Sequence, residues 1–314
     1  MLWLGEGGLD FGERACTLGR LNLHVSPADC KMMCSRFGYD EGYERWLNPK
    51  PVYSDDLFRM LGSTDVHTMD VSDYEGAAIT HDLNTPLPSE HDQAYDTVFD
   101  GGTLEHVFNF SEALRSAMRL VKVGGNFFTH QVMNNMLGHG FYCLGPEVFF
   151  RALSPENGFE VLNVRIHERY PWAPFRRCPD PKDLKSRLRM TQFGLESMIL
   201  VHAVRTKDVP IFESWPQQSD YESAWEGDKS ASHGFTDATQ FGVEGGAGKL
   251  LIPMLRKLRA ASINNPLLGR CGKYWLNARN FSVGAQKHRF PVDEPMRGGS
   301  PPVVTPTNGS HSSA

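Results

Sequence analysis

The stretch from residue 95 to residue 128 most constrains the fold, because residue patterns typical of a strand, a helix and a second strand follow one another in it. Its first six residues form a β-branched and aromatic run that ends in an aspartate before two glycines, as a short buried strand does on entering a tight turn. Apolar residues then recur at helical spacing over 113–121, with Ser111 as the predicted N-cap. The pair Gly124-Gly125 is predicted to end that helix, and extended structure restarts at Asn126. The stretch therefore predicts a strand–helix–strand unit.

This unit resembles the middle of class I S-adenosylmethionine-dependent methyltransferases. The matching residues are Tyr95–Val98 of the strand, Leu104–Val107 of the turn, Ala113-Leu114 and Arg119–Lys122 of the helix, and the following Gly124-Gly125. The resemblance implies a Rossmann-like α/β fold: a doubly wound, mostly parallel sheet of about seven strands with helices on both faces, an insertion after the first strand and a C-terminal extension. The alternative interpretation is an ordinary strand–helix–strand unit of another Rossmann-like protein, since such units serve many functions.

Periodicity and turn residues predict the remaining elements around this unit. The predicted strands are 14–19, 66–70, one beginning at 77, 159–167 and 196–204, and the predicted helices include 54–62 and 146–153. With acids at the ends of successive strands, this order places polar groups along one edge of a parallel sheet, where α/β proteins bind their ligands.

Composition and charge exclude several classes of protein. The chain has 314 residues, enough for one large α/β domain with additions or for two domains, and its formal charge of −5 gives no electrostatic reason to expect nucleic-acid binding. The sequence contains no run of about 18 apolar residues that could span a bilayer, and its opening residues lack the features of a signal peptide. A cytoplasmic protein without membrane insertion is therefore predicted.

Cysteine spacing gives no support for a metal centre. The six cysteines form no CxxC pair. Cys30 and Cys34 have the spacing of half a metal site, but no partner pair of Cys or His supports them. Free thiols in a reducing compartment are predicted, with no metal.

The domain organisation follows from shifts in composition along the chain. Residues 1–207 are predicted to form the Rossmann-like domain, with a cap-like insertion at 30–53 whose aromatic side chains either pack on the domain or line a substrate pocket. Residues 208–292 form a predicted C-terminal extension with a basic amphipathic helix at 248–261, which docks on its own domain or on a partner chain and so offers a surface for homo-oligomerisation. Residues 293–314 are rich in Pro, Gly, Ser and Thr and are expected to be disordered.

The resemblance implies S-adenosylmethionine as cofactor, bound at the carboxyl ends of successive strands. In the family a glycine-rich loop follows the first strand, because backbone must approach the methionine part of the cofactor closely. Here only Gly19 stands in that place. Either a different loop holds the cofactor, with Arg20 meeting its carboxylate, or cofactor binding is lost. Asp70 is the first choice for the ribose hydroxyls and Asp73 the second, with a simple turn acid as the alternative. The full set of predicted cofactor contacts is Gly19, Arg20, Asp70, Asp82 and Leu83 at the adenine, Asp100, Gly101 and Gly102.

The acceptor side is predicted to lie in a polar, glycine-containing loop over residues 130–142, after the strand that follows the central helix. Its candidate contacts are His130, Asn134, Asn135, His139 and Tyr142. His139 is the predicted base for a hydroxyl acceptor, with His106 and Tyr142 as further catalytic candidates, whereas an amine acceptor needs no base. The alternative for a histidine beside glycines is a structural hydrogen bond.

Two classes of function remain open from the sequence. The first is methyl transfer from S-adenosylmethionine to a small-molecule or glycan-type acceptor, an in-line displacement that needs chiefly positioning and, for a hydroxyl, a base. The second is a catalytically inactive methyltransferase-like binding or scaffolding protein, which the reduced glycine loop favours. A nicotinamide-dependent oxidoreductase is poorly supported, because no G-x-G-x-x-G follows the first strand.

Overall fold

The computed structural model of the chain describes residues 9–23, 27–36, 53–169, 175–190, 196–225, 227, 234–237, 241 and 243–244. All of them belong to one compact unit, Met1–Leu251. Most of the predicted insertion, the predicted helix at 248–261 and the predicted tail at 293–314 lie outside the described residues. Among the described helices, none has both the length and the apolar character needed to cross a bilayer.

Eleven strands are described, nine of them in one sheet. In chain order they are β1 (Arg14–Leu18), β2 (Asp65–Asp70), β3 (Ile79–Thr80), β4 (Tyr95–Asp100), β5 (Val121–Asn134), β6 (Phe159–Glu168), β7 (Phe175–Arg177), β8 (Arg187–Arg189), β9 (Ser197–Arg205), β10 (Phe235–Asp237) and β11 (Val243–Glu244). Strands β8 and β10 form a separate parallel pair.

The main sheet has the order β11-β7-β6-β9-β5-β4-β1-β2-β3. Strands β3, β2, β1, β4 and β5 run parallel to one another, and β9 lies antiparallel between β5 and β6. The chain runs from β1 outward to β3 and then returns to form β4 on the other side of β1. The order of the strands therefore reverses between β1 and β4, and the loops after these two strands diverge at this topological switch point. This confirms the predicted Rossmann-like fold; the nine strands exceed the predicted seven by the short edge strands β7 and β11.

Six α-helices lie within the described residues. They are α1 (Pro27–Arg36), α2 (Asp55–Met60), α3 (Phe110–Leu120), α4 (Pro146–Ala152), α5 (Pro181–Leu184) and α6 (Ser219–Trp225). Helix α2 follows Ser54, its predicted N-cap residue. Helix α3 has Asn109 at its N-cap position and ends at Leu120, so the predicted N-cap Ser111 is wrong and lies within the helix.

The sheet is covered on both faces, because successive strand residues point to opposite sides. Val98 and Phe127 lie in one core cluster with residues of α3, including Met118. Phe99 and Phe128, the next residue along each strand, lie in a second cluster, where Phe99 meets Phe58 of α2 at 5.8 Å between ring centroids. Each cluster removes several aromatic and aliphatic side chains from water, and this burial fixes the register of the parallel strands.

The predicted break between α3 and β5 is wrong. Gly124 and Gly125 do not end the helix; they lie inside β5, which starts directly after Leu120 and runs to Asn134. Gly124 has φ +85°, and the pairing of β4 with β5 shifts register here, as in a β-bulge. A Cβ on Gly125 would lie 2.8 Å from the Asp96 carbonyl oxygen, so this position needs glycine for close strand approach.

A buried histidine stands at the junction of β5 and β9. His202 is 6% exposed, its Nε2 lies 2.9 Å from Asn126 Oδ1, and its ring stacks on Phe128 at 4.2 Å between centroids. Burial, and then the charge of Arg165, lower the pKa of His202 to about 4. The histidine is therefore neutral in the folded protein and serves as a hydrogen-bond donor to Asn126.

We expect the folded state to lose stability as pH falls from 6.5 toward 4. In the unfolded chain His202 has an ordinary pKa of about 6.5 and binds a proton in this window. In the folded protein His202 stays neutral there. His202 alone then lowers the free energy of unfolding by about 2 kcal/mol between pH 7 and pH 5. Urea titrations at both pH values measure this, and His202→Gln, which does not titrate, should show a decline smaller by that amount. Equal declines in the two proteins would contradict the assignment.

Candidate functional site

The predicted glycine after β1 lies at the centre of the carboxyl edge of the sheet. Gly19 has φ +72°, and its N–H donates to the Met69 carbonyl at 2.8 Å. A Cβ on Gly19 would lie 2.6 Å from Thr103 Oγ1 and 4.0 Å from Asp70 Oδ2. Only glycine therefore fits between the end of β2 and the turn after β4. The structure thus brings Gly19 and Asp70 together, as the sequence predicts, and adds Thr103.

Asp70 ends β2 with one of its two oxygens engaged. Its Oδ1 accepts a hydrogen bond from the Val71 N–H at 2.7 Å, and among the described residues no further hydrogen bond reaches the carboxylate. Asp70 is half-buried, and its Oδ2 is the oxygen nearer to Gly19. Asp73, the second choice, is exposed in the following turn. Asp70 is therefore the better placed of the two for a ligand at this edge.

Arg20 is held by groups of the protein. Its guanidinium lies over the Tyr53 ring at 4.3 Å, donates to the Gly76 carbonyl at 3.1 Å and pairs with Asp55 at 3.4 Å. These contacts tie the loop after β1 to helix α2 and to the turn after β2. The predicted role of Arg20 at a cofactor carboxylate requires it to exchange at least one of them.

The predicted adenine contacts behave differently from one another. Asp82 is exposed after β3, and its Oδ1 accepts from the backbone and side-chain nitrogens of Asn84 at 2.9 and 2.8 Å, which holds the pKa of the carboxyl below its usual value. Leu83 is 5% exposed and belongs to the core cluster that contains α3. The prediction that Leu83 presents its side chain to the adenine ring is therefore corrected: Leu83 packs in the core.

Asp100 is buried and its hydrogen-bonding capacity is used within the protein. Its Oδ1 accepts from the Thr103 and Leu104 N–H groups at 2.9 and 3.4 Å. Its Oδ2 accepts from Thr129 Oγ1 at 2.7 Å and from the Gln131 side-chain amide. Burial raises the pKa of Asp100 to about 6 despite these donors. The predicted direct contact with a cofactor is corrected, because this carboxylate is closed off and instead shapes the turn through Gly101 and Gly102.

Glu105, one turn further on, is a buried carboxylate without a hydrogen bond. It is 0% exposed, and neither of its oxygens has a hydrogen-bond partner among the described residues. The Gln131 side-chain amide, which donates to Asp100, also lies near enough to lower the pKa of Glu105. Burial and then the charge of Asp100 raise the pKa of Glu105 to about 7. A buried carboxylate without a hydrogen bond is costly, which makes the position a candidate for function.

Two of the predicted catalytic histidines meet at this carboxylate. His139 Nε2 lies 3.5 Å from Glu105 Oε1, and His106 Nε2 lies 3.9 Å from the same oxygen. The two rings are 5.0 Å apart between centroids, and both histidines are exposed. Burial of part of the ring and then the neighbouring His139 lower the pKa of His106. The three side chains, called here the Glu–His–His cluster, therefore join a buried acid to two solvent-facing imidazoles.

The loop that carries His139 is fastened to Glu105 through the backbone. The Glu105 carbonyl accepts from the Phe141 and Tyr142 N–H groups at 2.8 and 3.3 Å. A Cβ on Gly140 would lie 2.8 Å from that carbonyl oxygen, so glycine is needed for this approach. The Tyr142 hydroxyl donates to the Phe108 carbonyl at 2.7 Å. Tyr142, a predicted catalytic residue, thus holds the loop in place, and its proton is already engaged.

The remaining predicted acceptor contacts lie elsewhere. His130 is in β5, not in a loop, with its Nε2 2.9 Å from His167 Nε2; burial lowers the pKa of His130 to about 3, so His130 stays neutral, and burial lowers the pKa of His167 as well. Asn134 ends β5 and Asn135 begins the loop with φ +62°. The acceptor loop therefore starts at residue 135, five residues later than predicted.

Sequence reasoning missed Glu105, Thr103 and Gln131. Glu105 had one available signal, an acid directly before a histidine in a turn that follows a strand. The roles of Thr103 and Gln131 depend on Asp100 and Gly19, and nothing in their local sequence indicates those contacts.

Comparison with known proteins adds distant likenesses. No protein-family model matches the chain, and no curated protein matches it. Among solved structures, the chain is similar to the [4+2]-cyclase SpnF (14% identity, TM-score 0.35, covering 66% of this chain and 80% of that one). It is also similar to a SAM-dependent methyltransferase from Aquifex aeolicus (13% identity, TM-score 0.33, covering 64% of this chain and 87% of that one). A further similar structure is the trans-methyltransferase CalH complexed with SAH (13% identity, TM-score 0.34, covering 65% of this chain and 54% of that one). The fold assignment rests on the strand order of this chain itself.

Proposed function

We propose that the chain transfers a methyl group from S-adenosylmethionine to a small-molecule or sugar-like acceptor. One observation carries the proposal. The carboxyl edge of a Rossmann-like sheet places a half-buried carboxylate oxygen of Asp70 beside the backbone at Gly19, and the turn that touches Gly19 leads within two residues to the Glu–His–His cluster. A cofactor site and a polar acceptor site are thereby adjacent along one short segment of chain.

On the cofactor side, the residues present fit an adenosine with an attached amino acid. Asp70 would accept hydrogen bonds from the ribose hydroxyls, Asp82 would meet the exocyclic amine of adenine, and the backbone at Gly19 would lie along the methionine part. The bound cofactor supplies an electrophilic methyl group on a sulfonium. The protein has to hold donor and acceptor in line and to exclude water, which needs few compulsory side chains.

On the acceptor side, the Glu–His–His cluster offers the groups that a hydroxyl acceptor needs. Exposed His139 would lie beside the acceptor oxygen, with Glu105 behind it to stabilise positive charge. The exposed Phe108 and Phe141, whose rings meet at 5.5 Å, would flank an apolar part of the acceptor. This arrangement suits a small acceptor that presents both a hydroxyl and an apolar face.

Isothermal titration of the intact chain with S-adenosylmethionine and with S-adenosylhomocysteine tests the proposal. Saturable binding of both is expected, followed by methyl transfer in a screen of hydroxylated small molecules and sugars. If millimolar cofactor produces neither a heat of binding nor a shift in melting temperature, the proposal is wrong.

Asp70→Ala should weaken the binding of S-adenosylmethionine by about 1–3 kcal/mol, because two ribose hydroxyls lose their acceptor in a closed site. The matched control is Asp73→Ala, which removes an exposed acid three residues away and should bind the cofactor as the parent chain does. Equal affinity for the parent chain and Asp70→Ala would remove Asp70 from the site.

A catalytically inactive binding or scaffolding protein is the second candidate, and one observation favours it. Thr103 Oγ1 lies only 2.6 Å from the point where a Cβ on Gly19 would stand, so the space above this glycine is partly filled by the protein. The same titration separates the two candidates, since a scaffold need not bind the cofactor. Thr103→Ala would enlarge the space, and a gain of cofactor binding in that variant alone would support the scaffold.

A further inference from the structure

We propose that the Glu–His–His cluster binds one divalent transition-metal ion, with Zn²⁺ as the representative ion. The ligands are one oxygen of Glu105 and the Nε2 atoms of His106 and His139. The sequence does not predict this site, because it is assembled from a turn after β4 and a loop after β5, and the residues lack the short spacing of known zinc motifs.

The geometry of the three ligand atoms is close to that of a bound ion. One ligand atom from each residue lies within 4.8 Å of the others, and the two Glu105–His separations are 3.5 and 3.9 Å. A tetrahedral Zn²⁺ with bonds of about 2.0–2.1 Å holds its ligand atoms about 3.3 Å apart. The two Glu105–His separations exceed that value by about 0.2 and 0.6 Å, a gap that ion binding would close by moving the two exposed imidazoles.

The buried carboxylate supplies an independent reason for a cation. Glu105 is fully buried, and neither oxygen accepts a hydrogen bond within the described residues. A carboxylate in that position costs several kcal/mol unless a positive partner offsets it, and no Lys or Arg forms an ion pair with it in the described part of the chain. A metal ion is the partner that also accounts for the two histidines aimed at the same oxygen.

Two glycines keep the space around this oxygen open. A Cβ on Gly102 would lie 3.1 Å from Glu105 Oε1, and a Cβ on Gly140 would lie 3.0 Å from Glu105 Cγ. Any other residue at these positions would crowd the carboxylate on both sides. The open side of the cluster faces solvent, where both histidines are exposed, so an ion has an entry path and a fourth ligand position remains for water or an acceptor oxygen.

The donor set selects the class of ion. Two imidazoles with one carboxylate suit Zn²⁺ or Fe²⁺, whereas Mg²⁺ and Ca²⁺ prefer oxygen ligands throughout. Zinc sites with two His and one Glu and an open fourth position are catalytic in type. The proposed site therefore has an open position for chemistry.

The role of the ion rests on the proposed function. An acceptor hydroxyl bound at the open position has a lowered pKa and gives its proton to water. The resulting oxygen forms a bond to the methyl carbon while the carbon–sulfur bond of the sulfonium breaks, leaving a neutral thioether. In this role His139 acts on the acceptor through the ion that it binds. Loss of His139 therefore abolishes deprotonation of the acceptor hydroxyl.

The test is titration with Zn²⁺ alone, using the intact chain after treatment with a chelator and dialysis. One equivalent should bind, and His106→Ala and His139→Ala should each weaken binding by at least tenfold. Glu105→Gln, nearly the same size but uncharged, should do the same. His91→Ala, a histidine outside the cluster, is the matched control and should bind as the parent chain does. Thermal melts of every variant identify any that fail to fold.

The outcomes are distinct. Loss of binding in both histidine variants, with melting unchanged, supports the site even if Glu105→Gln fails to fold. No stoichiometric binding, or equal binding by the parent chain and both histidine variants, overturns it. Titration with S-adenosylmethionine on the same samples separates the two proposals: a chain that binds the cofactor and no Zn²⁺ overturns the metal site alone, and one that binds Zn²⁺ and no cofactor retains the site and loses the proposed function.

Discussion

Replacing Asp100 by alanine lowers the free energy of unfolding by about 3–5 kcal/mol, the largest stability effect we expect from a single change. The substitution removes the acceptor for two backbone N–H groups and for the side chains of Thr129 and Gln131, all at a buried position. Each stranded buried donor costs about 1–3 kcal/mol, although some regain water in the space left by the carboxylate. Urea-induced unfolding followed by circular dichroism measures the loss.

The matched control for Asp100→Ala is Glu90→Ala, because Glu90 is an exposed acid in a short 3-10 helix before β4. That change should stay within about 0.5 kcal/mol of the parent chain. A loss for Asp100→Ala below about 1 kcal/mol would show that the turn through Gly101 and Gly102 holds its shape without the carboxylate. A loss of the expected size accompanied by weaker cofactor binding would show that this turn also shapes the cofactor site.

The second large effect concerns turnover. His139→Ala should lower kcat with a hydroxyl acceptor by about 10²-fold or more, while the affinity for S-adenosylmethionine changes little. The physical reason is that His139, 3.5 Å from buried Glu105, belongs to the group that removes the acceptor proton and has no part in the cofactor site around Gly19. Steady-state kinetics and cofactor titration on the same preparation measure the two quantities.

Leu137→Ala is the control for general disturbance of the loop. Leu137 is 95% exposed, two residues before His139, and its removal should leave kcat nearly unchanged. Equal loss of turnover and cofactor binding in His139→Ala would make His139 a structural residue. Undiminished turnover in His139→Ala would exclude His139 from the mechanism. Positioning of the acceptor by the loop would then remain as the explanation of catalysis.

Local patterns were enough to predict the central strands and helices, but not the short strands β7, β8, β10 and β11 or all of the element ends. The apolar spacing of Ala113, Leu114, Ala117 and Met118 predicts α3, and those residues are buried against the sheet. The error came at Gly124 and Gly125, because glycine at positive φ serves a helix end and a β-bulge equally well. Which of the two forms depends on pairing with β4, and that pairing is a contact between segments far apart in sequence.

The same limit divides the site residues. The proximity of Gly19 and Asp70 was predictable, because each lies at the end of one of two neighbouring parallel strands. Asp100 also ends a strand, but its burial by Thr129 and Gln131 of the next strand decides that it shapes the turn. Glu105 was missed for a related reason: its carboxylate becomes unusual only because the loop with Gly140 closes over it. Chemistry made by two segments is not visible in either segment alone.

The position of β9 between β5 and β6 has a consequence for how the chain is made. During synthesis, β5 emerges with β4 as its neighbour on one side, while its other edge waits for β9, which follows β6 and β7 in the chain. Until then the backbone groups of residues 126–134 on that edge are unpaired, and such an edge readily pairs with another chain. Strand β6 joins the sheet only through β9, so it cannot cover this edge earlier. A nascent chain halted before Ser197 is therefore exposed to aggregation, because β9 both covers this edge and joins β6 to the sheet.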